Sequence, residues 1–396
     1  MSELAIQPPA GSDLAERLPR TTTVLEAGIA DGLHLGAQVY VSLDGEVLAD
    51  GAIGEARAGV PMTPEQLIIW FSMTKATVAV SVAKAWERGL FELDDTIASY
   101  VPEFGVRGKE RITLRHCLTH TAGFRAGDSA QSSAKEPEEN WSELVDLICQ
   151  VPLEDGWTPG NDAGYHLTCG MTMLAEVLRR VDGRFYPQYV REEVFEPLGM
   201  LDCWVGMPLE NVDEYDAAGR IGTMHHTAGE APLPLDRLDS RGSLTRCSPG
   251  GGGRGPMRQL ARLYEMLLGR GELDGARVLL PQTVEAITAR HRVGIFDRTF
   301  GIPLDWGLGF GIDSSSHGRH SSRRVFGHGG AQSSIAYCDP EFGLVVALQT
   351  NGMPGTTPHY ARLAALADAV YEDAGLADPS SPGRDKARPV ESGASA

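Results

Sequence analysis

The chain has 396 residues, 42% of them hydrophobic and 22% charged, which is the composition of a soluble globular protein with one large core or two to three units of ordinary size. Asp and Glu number 53 against 35 Lys and Arg, and the formal net charge of -18 argues against nucleic acid and anionic membrane surfaces as partners. No run reaches the ~18 apolar residues of a membrane span, and the six scattered cysteines, without a C-x-x-C pair, read as buried free thiols of a reducing cytosol.

In chain order, residues 1–24 read as a polar, Pro-bearing arm. No basic segment there is followed by an apolar one, so the expectation is a cytoplasmic protein without a secretory signal. Gly36 to Leu43 and Glu46 to Ala52 are strand-like runs around Asp44-Gly45, a hairpin signal. The apolar run Leu67 to Phe71 leads into Ser72-Met-Thr-Lys75 and a helix ending near Arg88-Gly89. Helical period marks Trp141 to Val151, Gly170 to Val181, Met257 to Leu268 and Pro281 to Arg290, with a polar loop from Asp128 to Asn140. Residues 211–250 read as irregular. Strands are expected at Trp306 to Ile312, Arg324 to Gly327, Ser334 to Cys338 and Gly343 to Asn351, then a helix from Tyr360 to Ala374. The pattern predicts an α+β fold whose central antiparallel sheet, flanked by helices, is built from residues 25–89 and 211–377. A mainly helical domain would be inserted over 90–210, and 378–396 would form a disordered tail.

S-x-x-K occurs three times, as Ser72/Lys75, Ser81/Lys84 and Ser132/Lys135, and context separates the copies. Ser132/Lys135 lies in a polar loop that would not desolvate a lysine, and Ser81 lies mid-helix, where its hydroxyl would bond back to the helix. Ser72 follows an apolar run and opens a helix, whose N-terminus favours developing negative charge. A spacing of three sets Lys75 beside the serine, and burial would lower its pKa into the range of a base. The same residues would also suit a plain helix cap.

Further motifs decide between these readings. Gly164-Tyr165-His166-Leu167 precedes a helix, and Phe326-Gly-His328-Gly329-Gly330-Ala331 lies between strand-like runs. The order Ser-x-x-Lys, Tyr, His-Gly-Gly resembles class C β-lactamases, DD-peptidases and family VIII carboxylesterases, over residues 25 to 375. Leu93-Asp-Asp95, Leu118-Thr-His-Thr-Ala-Gly123, Phe195-Glu-Pro-Leu-Gly-Met200, Ser248-Pro-Gly-Gly-Gly252 and Trp306-Gly-Leu-Gly309 resemble the same family. The resemblance implies a β-lactamase/transpeptidase-like fold in which Ser72 is acylated and Lys75 and Tyr165 handle its proton. It implies an oxyanion hole from the backbone N–H groups of Ser72 and Ala331, with His328, Gly329, Gly330, Leu167 and His166 lining the substrate site.

Two departures bear on substrate. Leu167 stands where the family commonly has an asparagine that holds a substrate amide, and His328 stands where β-lactamases and DD-peptidases carry a lysine. Both point to a carboxylesterase acting on a small or medium ester. The alternatives are an acyltransferase of secondary metabolism passing the acyl group to an amine or alcohol, and a β-lactamase or DD-peptidase-like amidase. A non-catalytic binding protein ranks lowest, because Ser72, Lys75 and Tyr165 are all present. No cofactor or metal is expected: there is no H-E-x-x-H, and His225-His226 does not place two ligands on one helix face. There is no G-x-S-x-G elbow, and no Lys-Ser or Lys-Thr follows Gly250 to Gly253, which instead reads as a close approach of backbone to the sheet. His116 and His120 read as structural.

Overall fold

A computed structural model describes residues 14–132, 137–377 and 382–388. Its centre is a nine-stranded antiparallel sheet drawn from both ends of the chain. In chain order the strands are β1 (Gly36–Leu43), β2 (Glu46–Arg57), β3 (Val60–Pro61), β4 (Arg292–Asp297), β5 (Ile302–Trp306), β6 (Gly311–Ile312), β7 (Phe326–Gly330), β8 (Ser334–Asp339) and β9 (Leu344–Thr350). They lie in the order β4-β5-β6-β7-β8-β9-β1-β2-β3. The β1–β2 hairpin turns on Asp44 and Gly45, both with positive φ (50° and 82°), as the mirror-image turn of a tight hairpin requires.

The central strands are buried on both faces, so they read as continuous apolar runs rather than alternating ones. Alternate residues of β8 and β9 serve different layers. Ile335, Tyr337, Val346 and Leu348 pack with Leu363, Leu366 and Val370 of the Thr356–Asp373 helix. Ala336, Cys338, Val345 and Ala347 pack with the Lys75–Glu87 and Met257–Leu268 helices. The second core continues without a break into Leu114, Leu174, Tyr189 and Phe195, so the helices of 90–210 share a core with the sheet.

Several expectations change. Residues 14–24 are not an arm: helices span Leu14–Arg17 and Pro19–Ala30, and Leu14, Leu18 and Leu25 are buried against the sheet. Residues 1–13 lie outside the described residues. Trp306 to Ile312 is not one strand; Gly309, at φ 87°, lies in a turn closed by Gly307 N–H donating to Phe310 O at 2.8 Å. Within 211–250, His225–His226 pairs with Gly352–Met353 as a short strand. Of the expected disordered tail, 378–381 and 389–396 lie outside the described residues, while Arg384 and Lys386 are bound to Asp313. All six cysteines are free and buried. Among the described residues, no helix is long and apolar enough to cross a membrane, and no group of His, Cys, Asp or Glu is placed to hold a metal ion.

Candidate active site

Ser72 sits in a 3-10 turn, Phe71–Thr74, that runs directly into the Lys75–Glu87 helix. Phe71 enters this turn at φ 50°, a left-handed conformation costing a non-glycine residue roughly 1–3 kcal/mol. Bonds on every side hold it there. Trp70 N–H donates to Gly253 O at 2.7 Å, Trp70 Nε1 to Gly255 O at 2.9 Å, Gln349 Nε2 to Ile69 O at 2.5 Å and Thr74 Oγ1 to Phe71 O at 2.6 Å.

The Gly250 to Gly253 run approaches this turn rather than the sheet. A Cβ on Gly253 would lie 2.6 Å from the Trp70 ring, and one on Gly250 would lie 2.6 Å from Thr168 Cα. Glycine at 330 does the same from β7, since a Cβ there would lie 2.3 Å from Trp70 O. The close approach brings Gly330-Ala331 against Phe71-Ser72, and Ser72 and Ala331 both line one cavity.

Lys75 is fully buried. Its Nζ lies 3.1 Å from Ser72 Oγ and donates to Leu167 O and Gly250 O, each at 2.7 Å. Burial pushes its pKa down from 10.5 to about 7, although the nearby Asp128 carboxylate opposes this. A neutral amine keeps two N–H bonds to the carbonyls and turns its lone pair toward Ser72 Oγ, which is the geometry of a proton acceptor.

The Tyr165 hydroxyl is within hydrogen-bond reach of Ser72 and lies 3.4 Å from His328 Nε2. Lys75 Nζ stands 4.9 Å from the centre of the Tyr165 ring. Burial drives the tyrosine pKa well above its ordinary value. His328 Nδ1 contacts Gly329 O at 2.7 Å, which requires the N–H on Nδ1 and leaves Nε2 a bare acceptor for the tyrosine O–H. Burial, then the charge of Lys75, lower the His328 pKa to about 3, so this imidazole is neutral near pH 7.

The cavity has a volume of about 340 Å³. Leu167, Phe300, Leu304, Trp306, Tyr360 and Leu363 give it an apolar lining, and among the described residues no Lys or Arg lines it. The Leu167 side chain is exposed there while its carbonyl holds Lys75. Gly329 and Gly330 line it as expected. His166 does not: it is buried behind Tyr165, and its Nε2 accepts from Phe124 N–H at 3.3 Å. The other S-x-x-K copies stay apart from the cavity. Ser81 is fully buried in its helix, Lys84 pairs with Glu193 at 3.0 Å, Ser132 donates to Glu143 at 2.6 Å, and Lys135 lies outside the described residues.

Two supports, Asp128 and Asp297, escaped sequence reasoning, and a third, His120, was read only as structural. Asp128 accepts from the N–H groups of Leu167, Thr168 and Cys169 at 2.7, 2.7 and 2.8 Å. It thereby caps the Cys169–Asp182 helix in place of Thr168, which makes no side-chain cap. Burial works against its charge, but these bonds outweigh it and hold its carboxyl below the usual range. Asp297 accepts from Tyr165 N–H at 3.2 Å and from Thr299 and Phe300, and it pairs with the buried Arg292 at 3.0 Å. His120, at φ 56°, lays its ring 4.3 Å from that of Tyr165 and accepts from His166 N–H at 3.1 Å. His116 closes a capping box with Thr113, a structural task. Asp128→Ala is expected to lower stability by about 2–5 kcal/mol, because three backbone donors lose their acceptor at once. Asp128→Asn should keep more than half of that stability, as read by urea unfolding; equal loss in both variants would show that the charge, not the bonds, matters.

The comparisons with known proteins give the family and the fold. At 29% identity, Esterase/beta-lactamase LipL of Mycobacterium tuberculosis matches over 80% of this chain and 77% of its own length. Esterase EstB of Burkholderia gladioli is 27% identical over 94% of this chain and 100% of its own. The crystal structure of a family VIII carboxylesterase superposes with a TM-score of 0.76 at 24% identity, covering 93% of this chain and 99% of that one. The beta-lactamase family model matches residues 22–371, and the chain therefore belongs to the beta-lactamase family, with the β-lactamase/transpeptidase-like fold.

Proposed function

We propose that the chain is a serine carboxylesterase that works through an acyl-enzyme on uncharged esters of small or medium size. The observation that carries the reading is the contact of Ser72 Oγ with a buried Lys75, beside Tyr165, in a cavity that no cation lines among the described residues. Ser72 adds to the ester carbonyl while Lys75 takes its proton. The N–H groups of Ser72 and Ala331 stabilise the oxyanion. Tyr165 delivers a proton to the leaving alkoxide and is restored by the proton that Lys75 took. Water then adds to the acyl-enzyme, gives up a proton to Lys75 and releases the acid as that proton returns to Ser72 Oγ. The names of LipL and EstB favour ester chemistry in the family's near relatives.

Amidase chemistry on β-lactams or D-Ala peptides fits this site less well. Those substrates bring a carboxylate and a side-chain amide, and the cavity offers them a neutral His328 and the apolar Leu167. An amide left unpaired costs roughly 1–3 kcal/mol, about ten- to a hundredfold in rate. A panel of p-nitrophenyl esters run beside nitrocefin is expected to give clear ester turnover, with nitrocefin slower by about ten- to a hundredfold. Nitrocefin hydrolysis as fast as ester hydrolysis would overturn the reading, and the LipL name makes that arm informative. Adding an amine or alcohol to the same assay measures how the acyl-enzyme partitions between water and an acceptor.

A further inference from the structure

One wall of the cavity is the loop 313–324 between β6 and β7, which contributes Ser314, Ser316 and His317. Asp313 starts it at φ 50°, left-handed for a non-glycine residue. On its inner side the loop is tied to the Thr356–Asp373 helix by Arg319 N–H donating to Asp368 at 2.7 Å, and to β8 by Ser322 N–H donating to Asp339 at 2.7 Å.

On its outer side lies the segment 382–388 of the chain's own C-terminal region. Arg384 N–H donates to Arg319 O at 2.9 Å. Its guanidinium clasps both carboxylate oxygens of Asp313, at 2.9 and 2.7 Å, and reaches Ser321 O and Ser322 O at 2.5 and 2.9 Å. Lys386 Nζ lies 2.9 Å from Asp313, 2.6 Å from Ser321 Oγ and 3.3 Å from Ser314 O. Its side chain is only 8% exposed, and lysine is seldom so buried without fixed partners. An exposed ion pair holds little, but a bidentate arginine joined to a buried lysine on one carboxylate forms a network. The Lys386 charge is also felt by His317 on the cavity side, next after burial among the causes that lower its pKa to about 3.

We propose that Arg384 and Lys386 are positioning residues that pin the 313–324 loop and so set the depth and selectivity of the ester cavity. The proposal takes the ester reading of that cavity as given. Neither residue lines the cavity, so their effect falls on how well the distal part of a substrate is held rather than on acylation of Ser72. Asp313 keeps Arg290 at 3.7 Å when both are removed, so its charge is not stranded and the fold survives.

The test compares Arg384→Ala/Lys386→Ala with the parent on p-nitrophenyl esters from acetate to octanoate. KM for the longest ester is expected to rise roughly tenfold, the worth of one misplaced pocket contact, while kcat on the acetate stays within about twofold. The conservative pair Arg384→Lys/Lys386→Arg should restore most of the KM. Amide hydrogen exchange in 313–323 should quicken in the alanine pair. A chain-length profile superimposable on the parent's overturns the proposal, as does an equal kcat loss on every ester, which would assign the segment to stability alone. If the parent turns over no ester at all, the ester reading fails by itself, and unchanged exchange in 313–323 then overturns the pinning.

Discussion

Ser72→Ala is expected to abolish acylation and to lower ester turnover by about 10⁴–10⁶, the usual scale for loss of a serine nucleophile. The bonds that fix the Phe71–Thr74 turn involve Trp70, Thr74, Gly253, Gly255 and Gln349, and none of them uses the Ser72 hydroxyl. The variant therefore keeps its fold, and its Tm should not fall below the parent's. It removes a polar atom from the buried Lys75, and sites built for chemistry often gain stability when that chemistry is lost. Neither of the other S-x-x-K serines can take over, because Ser81 is fully buried and Ser132 is bonded to Glu143 away from the cavity. Labelling with a fluorophosphonate, read as intact mass, gives one adduct in the parent and none in Ser72→Ala. An adduct that persists in the variant would move the nucleophile elsewhere. Ser81→Ala serves as the control, with labelling retained.

What could be read from the sequence follows from where each signal is stored. Ser72, Lys75, Tyr165 and His328 to Ala331 sit in short contiguous motifs whose order resembles the family's, and it was that resemblance, not spacing alone, that brought them together. Asp128 and Asp297 act on residues 39 to 41 and 132 positions away, and nothing local distinguishes them from solvated carboxylates. The sheet centre was legible because Ser334–Asp339 and Leu344–Thr350 are buried on both faces. The edge strand β4 was not, for its pattern is inverted. Val293 and Phe296 are 62% and 56% exposed, while Arg292 and Asp297 are buried as an ion pair, with the Arg292 guanidinium over the Trp306 ring. Residues 14–24 looked polar because only Leu14, Leu18 and neighbours at helical spacing turn inward. His166 was expected in the cavity, but it is buried and its Nε2 accepts from Phe124 N–H, while its neighbours Tyr165 and Leu167 line the cavity.

The second large effect concerns the proton. Lys75→Ala and Tyr165→Phe should each lower kcat by about 10²–10⁴, the usual worth of general acid–base catalysis. The two losses should differ in kind. Lys75 must be neutral to accept the Ser72 proton, and burial has brought its pKa to about 7. Below that pH the ammonium has no lone pair, so kcat/KM should fall tenfold for each pH unit; above it the rate should level off. No other group in the contact set interferes, since His328 titrates near 3 and the Tyr165 phenol well above its ordinary range. Lys75→Arg should be inactive at every pH tested, because a guanidinium does not lose its proton. Tyr165 is placed differently. Its hydroxyl reaches Ser72 and the bare Nε2 of His328, and burial outweighs the Ser72 bond and keeps the phenol protonated, so it serves as an acid rather than a base. A p-nitrophenolate leaves without protonation, whereas a simple alkoxide does not. Tyr165→Phe should therefore damage turnover of alkyl esters at least tenfold more than turnover of p-nitrophenyl esters. Equal damage to both ester classes would remove Tyr165 from leaving-group protonation. An acid limb unchanged in Lys75→Ala would assign the pKa near 7 to another group.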